Sequence, residues 1–191
     1  LVLIDQLFRV LKTMASTATE AVTGTFSRYQ SATATNGDFI GNNMVAPMNV
    51  GTTLANTAHN WTVCQYTDQD GNTAQSIPSI AGLASATSSI RHIDLTAGNW
   101  FMPLASGDVG VKALTQMQNS ASITGSIDFV VFHPIAFLPC PVANMMCITD
   151  GINTAMNLTQ VYDNACLSLL EMPKPATGAT TYSGNLVLVA E

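Results

Sequence analysis

Tight-turn dipeptides divide much of this chain into short apolar runs, and that punctuation restricts the fold more than any other feature. Asp70-Gly71 stands between the alternating run 61–67 and the run 73–77. Asp-Gly pairs readily adopt the positive φ values that a two-residue hairpin turn requires. Similar runs follow along the chain, at 90–96 and 100–104 around Gly98-Asn99, and at 111–117, 127–138, 165–170 and 186–190. The pattern predicts short antiparallel strands joined by hairpins.

Many short strands separated by Gly, Asn and Asp turns are typical of a β-sandwich or a β-barrel. The alternation of strands with helices that marks a nucleotide-binding α/β fold is missing. We therefore predict an all-β fold, a jelly-roll-like sandwich or barrel, as a single domain over residues 16–191. Its predicted core consists of Val63, Trp100, Phe101, Leu104, Phe129, Val131, Phe137, Leu167, Leu169 and Val187.

The first fifteen residues have a different pattern, because their apolar side chains recur at helical spacing. Leu3, Leu7, Val10 and Met14 are three or four residues apart, with polar residues between them. This spacing indicates a short amphipathic helix or an arm over residues 1–15, although short apolar runs also fit a strand. The apolar stripe packs either on its own domain or on a neighbouring subunit. The residues expected to make the subunit contacts are Leu3, Ile4, Leu7, Phe8 and Leu11.

The chain is depleted of charge, and this bears on its partners. Only 9% of its 191 residues are charged, against about 25% in average soluble domains. Six Lys and Arg oppose 12 Asp and Glu, for a formal net charge of -6. Because basic residues are few and scattered, we expect no nucleic-acid partner. A surface of neutral polar residues instead suits broad contacts with other subunits, whose buried centres are depleted of charged groups.

We expect no membrane partner and no cofactor or metal. The longest apolar runs, such as 129–138, are much shorter than the roughly 20 residues of a transmembrane helix. The four cysteines, Cys64, Cys140, Cys147 and Cys166, are sparse for a disulfide-built domain and lack the spacing of a zinc site. Their default state is the reduced thiol.

Two stretches resemble catalytic or metal-binding motifs, and both fail on a decisive residue. Thr57-Ala58-His59 with residues 106–110 is superficially similar to the chymotrypsin-like serine proteases, but Val109 stands where the nucleophilic serine belongs. Residues 68–72 look like the start of a calcium loop, but Ser79 replaces the glutamate at the twelfth position. A hairpin turn is the better interpretation of residues 68–72.

The remaining histidines suggest no reaction either. His92 and Asp94 would share one face of a strand, where a cross-strand hydrogen bond is the common role of such a pair. His133 lies between Phe132 and Pro134 and is expected to be a satisfied core or edge residue. No nucleophile can be paired with a base from the sequence, so we expect that the protein is not an enzyme.

Residues 93–111, IDLTAGNWFMPLASGDVGV, resemble β-rich virion proteins of tailed bacteriophages. The charge-poor composition, rich in Ala, Ser, Thr and Asn, is similar to that of their capsid and decoration proteins. The resemblance implies a non-enzymatic structural protein located in the virion. It would decorate or cement the capsid as a homo-oligomer, in contact with a capsid protein.

Two alternatives to decoration stay open. A tail or capsid-shell component is one, although the chain is short for the usual tailed-phage capsid fold and lacks its long charged spine helix. The other is a β-sandwich module that binds carbohydrate or a host receptor. Clustered exposed aromatic side chains would favour that module, and the candidates are Trp61, Tyr66, Trp100 and Phe101.

Overall fold

In the computed structural model, the described secondary structure consists entirely of β-strands in two antiparallel sheets. This confirms the predicted all-β sandwich. The structure describes residues 2–22, 26–30, 43–49, 52, 54–82, 101–138 and 161–170. The strands are β1 (Val2–Thr13), β2 (Glu20–Ala21), β3 (Met44–Asn49), β4 (Asn60–Asp68), β5 (Gln75–Ser76), β6 (Ile80–Ala81), β7 (Val111–Asn119), β8 (Ser126–Phe137) and β9 (Leu167–Leu170).

The strand order shows how distant parts of the chain meet. The first sheet has the order β3-β8-β1-β9, and the second has the order β2-β7-β4-β5, with β6 beside the start of β4. The long central pairs are β1 with β8 in the first sheet and β4 with β7 in the second. The N-terminal strand therefore lies inside a sheet built with strands from the later chain.

The expected short helix over residues 1–15 is wrong, because this segment forms β1. Gln6 pairs with Phe132 and Phe8 pairs with Val131, so Leu7 is an extra residue that bulges out of the ladder. A bulge reverses which residues face each side of the sheet. β1 also buries apolar side chains on both of its faces. Together with the bulge, this places apolar residues three and four positions apart in the sequence, which is the spacing expected of an amphipathic helix.

The main core lies between the two sheets and confirms part of the predicted set. Phe129 and Val131 of β8 are fully buried there, and the Trp61 ring packs edge-on against Phe129 with the ring centroids 4.7 Å apart. Val63 is only half-buried, and Cys64 takes the inward position instead. The reason is a register shift between Trp61 and Val63, which changes the parity of β4.

Other predicted core residues lie elsewhere. Phe137 and Leu169 are 60% and 65% exposed, because they lie at the end of the first sheet where β8 and β9 run past the main core. Phe101, Leu104 and Leu167 are half-buried. Trp100 and Val187 fall outside the described residues. A second apolar cluster covers the outer face of the first sheet and contains Val2, Ile4, Val130, Phe132 and Leu170.

A hairpin does form around Asp70-Gly71, but it is not the tight two-residue turn that the sequence predicts. β4 and β5 pair antiparallel with Tyr66 opposite Gln75, and Gly71 has a φ of 91° whereas Asp70 has no positive φ. The Asp68 carboxylate accepts hydrogen bonds from the backbone N–H groups of Asp70 and Asn72, at 2.9 and 2.8 Å, and from the Asn72 side chain at 2.8 Å. Desolvation opposes ionisation, but these bonds outweigh it and lower the Asp68 pKa. The carboxylate therefore organises a turn.

Candidate assembly site at the open end of the first sheet

Three polar residues line up across the inner face of the first sheet, the face that packs on the second sheet. Asp5 of β1 pairs with His133 of β8, and Nδ1 of His133 lies 2.9 Å from Oδ1 of Asn43, directly before β3. All three are buried. We call these residues the polar row. They lie at one end of the main core, which we call the open end of the sandwich.

The Asp5 carboxylate is compensated by three donors. Arg28 donates from Nε at 2.7 Å and from Nη2 at 2.8 Å, and the backbone N–H of Cys166 donates at 2.8 Å. The two-pronged arginine contact is the strong geometry for a carboxylate. The hydrogen bond to Asp5 is the main cause of the raised Arg28 pKa. The buried charge of Asp5 is thus balanced locally.

Tyr29 covers the polar row in an unusual backbone conformation. Its φ is 53°, which is uncommon for a residue with a bulky side chain. The ring stacks on His133 with centroids 3.8 Å apart and meets the edge of Tyr162 at 5.0 Å. The Asn43 amide donates to the Tyr29 carbonyl at 3.2 Å. These contacts stabilise the conformation, and the Tyr29 ring separates the polar row from solvent.

An uncharged apolar surface begins immediately beyond the polar row. Leu3 lies two residues before Asp5 on the same face, and its cross-strand partners are Leu169 of β9 and Ala136 of β8. Leu3 is half-buried, whereas Ala136 and Leu169 are exposed. We call these three residues the apolar ledge. Solvent reaches the ledge because the main core ends at the polar row.

The five residues predicted to contact other subunits do not share one surface. Leu3 belongs to the ledge. Ile4 is buried in the outer apolar cluster, and Leu7 and Phe8 pack against the main core. Leu11 is 58% exposed, and it pairs with Asp128 on the outer face near the other end of β1. The strand conformation distributes these side chains over both faces of the sheet.

The residues that define this end of the molecule carry little signal in the sequence. Asp5 looks like one of several polar spacers on a helix, yet it is fully buried. Leu169 looks like a core residue, yet it is the most exposed large apolar side chain described. A charged residue inside an apolar run was the available signal for Asp5. Leu169 had none, because its exposure depends on where the main core ends.

The opposite end of β1 carries a second buried charge. Lys12 pairs with the core residue Ile127 and is almost fully buried. Its Nζ lies 2.9 Å from Oε1 of Glu20, which belongs to the second sheet. The backbone of Met14, the first residue after β1, hydrogen-bonds to Ile123 and Gly125 in the loop between β7 and β8. We call this the closed end, because an ion pair and a loop join the two sheets there.

The residues considered for catalysis are not brought together. His59, at the closed end, lies 3.0 Å from the Thr57 carbonyl, and burial lowers its pKa. Asp108 accepts a hydrogen bond from the Tyr66 hydroxyl at 2.6 Å at the other end of β4. Burial raises the pKa of Cys64 to about 12, which disfavours the thiolate. His92 and Asp94 lie outside the described residues.

The described residues contain no group of three or more His, Cys, Asp or Glu side chains placed to hold a metal ion. They also contain no helix that is long and apolar enough to cross a membrane. Cys64 and Cys166 are free thiols, and Cys140 and Cys147 are outside the described part of the chain.

No protein-family model, curated protein or solved structure matches this chain.

Proposed function

We propose that this protein is a non-enzymatic structural subunit of a virus particle. It decorates or cements the capsid through contacts with copies of itself and with a capsid protein. The observation that carries the proposal is the apolar ledge, where Leu169 keeps 65% of its surface in solvent beside Leu3. Adjoining exposed apolar side chains are unfavourable in water and mark surfaces that a partner covers.

The distribution of charge supports an assembly role. The ledge and all of β9 (Leu167–Leu170) lack charged side chains, in a chain that is 9% charged overall. The one buried carboxylate beside the ledge, Asp5, is balanced by Arg28. A partner can therefore cover this surface without desolvating an unpaired charge, which is the main electrostatic cost of forming an interface.

The alternative of a carbohydrate- or receptor-binding module draws less support from the described surface. Trp61 and Tyr66 are fully buried, and Phe101 is half-buried with its ring 5.4 Å from that of Phe132. These side chains are occupied in packing and do not form an exposed stacking platform. The fourth aromatic candidate, Trp100, lies outside the described residues.

The test is quantitative mass spectrometry of purified particles of the virus that encodes this sequence. We expect many copies of the chain per particle, which dissociate under mild conditions while the shell stays closed. Absence from purified particles would overturn the proposal. Copies confined to detached tails would make the chain a tail component, and collapse of the shell on its removal would make it a shell component.

A glycan array with the purified chain tests the alternative directly. The proposal expects no saturable binding to any sugar on the array. Saturable binding together with absence from particles would replace the structural role with a binding role.

A further inference from the structure

The backbone of β9 has one side directed away from the first sheet. The Gln6 N–H donates to the Cys166 carbonyl at 2.9 Å, so the backbone groups of Cys166 point towards β1. Hydrogen-bonding direction alternates along a strand, which directs those of Leu167 and Leu169 to the opposite side. Among the described strands, β1 alone pairs with β9. Two residues of β9 thus present donors and acceptors at the edge of the described sheet.

This edge lacks the features that usually prevent strand addition. Natural edge strands are protected by charged side chains, by proline or by a bulge. β9 reads Leu-Ser-Leu-Leu and pairs with β1 in regular register over all four residues. The exposed Leu169 adds apolar surface on the same edge. The edge is therefore chemically suited to receive another strand.

We propose that β9 pairs antiparallel with β9 of a second copy of this chain, around a two-fold axis at Ser168. This inference deepens the proposed function by naming the surface and the partner for contacts between copies. In this arrangement Leu169 of each copy lies opposite Leu167 of the other. The outward backbone groups of the two leucines then form complementary hydrogen bonds, and the two ledges lie side by side on one face of the extended sheet.

A second copy fits this edge because the edge is self-complementary. A two-fold axis brings identical surfaces together, so any charge near the axis would meet a like charge. Residues 161–170 carry a single charge, at Asp163, and the next charge in the sequence is Glu171, three residues beyond Ser168. Being five residues from the axis, the two Asp163 side chains lie at opposite ends of the paired strands. The pairing therefore meets no like-charge repulsion from the described residues of this segment.

The pairing is weak in solution, because four-residue strands bury little area compared with standard interfaces. We expect a dissociation constant of about 10–100 µM, with many such contacts acting together in a particle. Sedimentation velocity on the purified chain up to about 300 µM spans this range. A chain that stays monomeric over this range overturns the proposal.

Two matched variants locate the contact. Leu169→Lys places two ammonium groups in the paired edge and should raise the dissociation constant at least tenfold. Val109→Lys, at a position 57% exposed in the loop before β7, should leave it unchanged. Both positions are on the surface, and circular dichroism verifies that both variants fold. Equal effects of the two variants, or none from Leu169→Lys, overturn the assignment to β9.

A cross-link tests the register. Ser168→Cys in a Cys166→Ser background should form a disulfide-linked dimer on oxidation, because residues at the axis of an antiparallel pair lie within disulfide reach. The Cys166→Ser chain alone controls for the other three cysteines. Equal dimer yield from both chains contradicts the register.

Amide hydrogen exchange distinguishes a second copy from another segment of the same chain. If copies pair, protection of the Leu167 and Leu169 amides should rise with protein concentration. Strong protection that is independent of concentration would show that the chain covers its own edge, and would overturn the pairing. If the β9 pairing fails any of these tests, incorporation of the chain into particles is still measured separately, so the proposed function is tested independently.

Discussion

At the open end of β1, the buried carboxylate of Asp5 accepts three hydrogen bonds. Two come from the Arg28 guanidinium, one to each oxygen, and the third comes from the backbone N–H of Cys166. At the closed end, the buried ammonium of Lys12 pairs with the single carboxylate of Glu20, which is itself 37% exposed. Both charges lie on the inner face of the same strand, seven positions apart. They differ in how many protein hydrogen bonds replace the hydration that each charge loses on folding.

We therefore expect the Asp5–Arg28 ion pair to be required for stability and the Lys12–Glu20 ion pair to be replaceable by apolar packing. Asp5 is held by directional hydrogen bonds from three donors, so removal of its charge leaves the neighbouring guanidinium poorly compensated. Glu20 remains in contact with water, which weakens its attraction for Lys12. The desolvation cost of a buried ion can exceed the Coulombic gain when the compensation is incomplete. We therefore expect the two ends to respond differently to the same kind of substitution.

Asp5→Asn should have the largest effect. The neutral amide cannot accept both guanidinium bonds as a carboxylate does, and breaking a buried pair by removing one charge costs about 3–5 kcal/mol. Urea denaturation of this variant and of the exposed control Asp163→Asn measures the difference in free energy of unfolding. A loss below that of the control plus about 1 kcal/mol would show that the open end is no better compensated than the closed end.

Glu20→Gln should destabilise the protein less, by about 2 kcal/mol, because Glu20 is 37% exposed and water already weakens its attraction for the buried Lys12. The same urea experiment measures this loss. If Glu20→Gln costs as much as Asp5→Asn, the ranking of the two ends is wrong.

Lys12→Met should change the free energy of unfolding by less than about 1 kcal/mol in either direction. It replaces an ion pair by apolar packing of similar length, and it leaves the half-exposed Glu20 able to return to water. Combining Lys12→Met with Glu20→Gln should abolish most of the cost of the second substitution. A double variant as unstable as the sum of the two would refute this coupling.

Mild acid should loosen the region around His59 before the turn at Asp68, with the smallest effect of the four. Burial lowers the His59 pKa, so the unfolded state takes up a proton first and stability falls as the pH drops from about 6.5 through the folded value. The Asp68 pKa is also lowered, so the contribution of Asp68 persists above about 3.8 and is lost as the pH falls through its folded value.

Amide exchange at pH 7 and pH 5, corrected for intrinsic rates, checks this order. Protection should fall around Trp61 and Ile80, which lie near His59, and should hold at the turn after Asp68. His59→Gln should remove most of the difference between the two pH values. Equal loss of protection in both regions would mean that protonation of His59 does not control the local loss of stability.

Much of the strand and turn pattern can be predicted from residues that are close together in the sequence. The Asp70-Gly71 pair predicts a hairpin after β4, and one is found there, although the capping oxygens of Asp68 organise a longer turn than the pair alone predicts. The most apolar run, 127–138, was likewise predicted as a strand, and Ser126–Phe137 is β8. The residues of the candidate site, apart from Leu3, could not be predicted from such local patterns.

The sequence by itself determined the all-β class, because strand and turn preferences act over a few residues. Only the tertiary structure decided the faces of β1, since one bulge at Leu7 places Asp5 and Lys12 inward and Leu11 outward. It also decided that Leu169 is exposed while Leu170 is buried. Those outcomes depend on the cross-strand register and on where the main core ends, and both are set by contacts between residues more than a hundred positions apart.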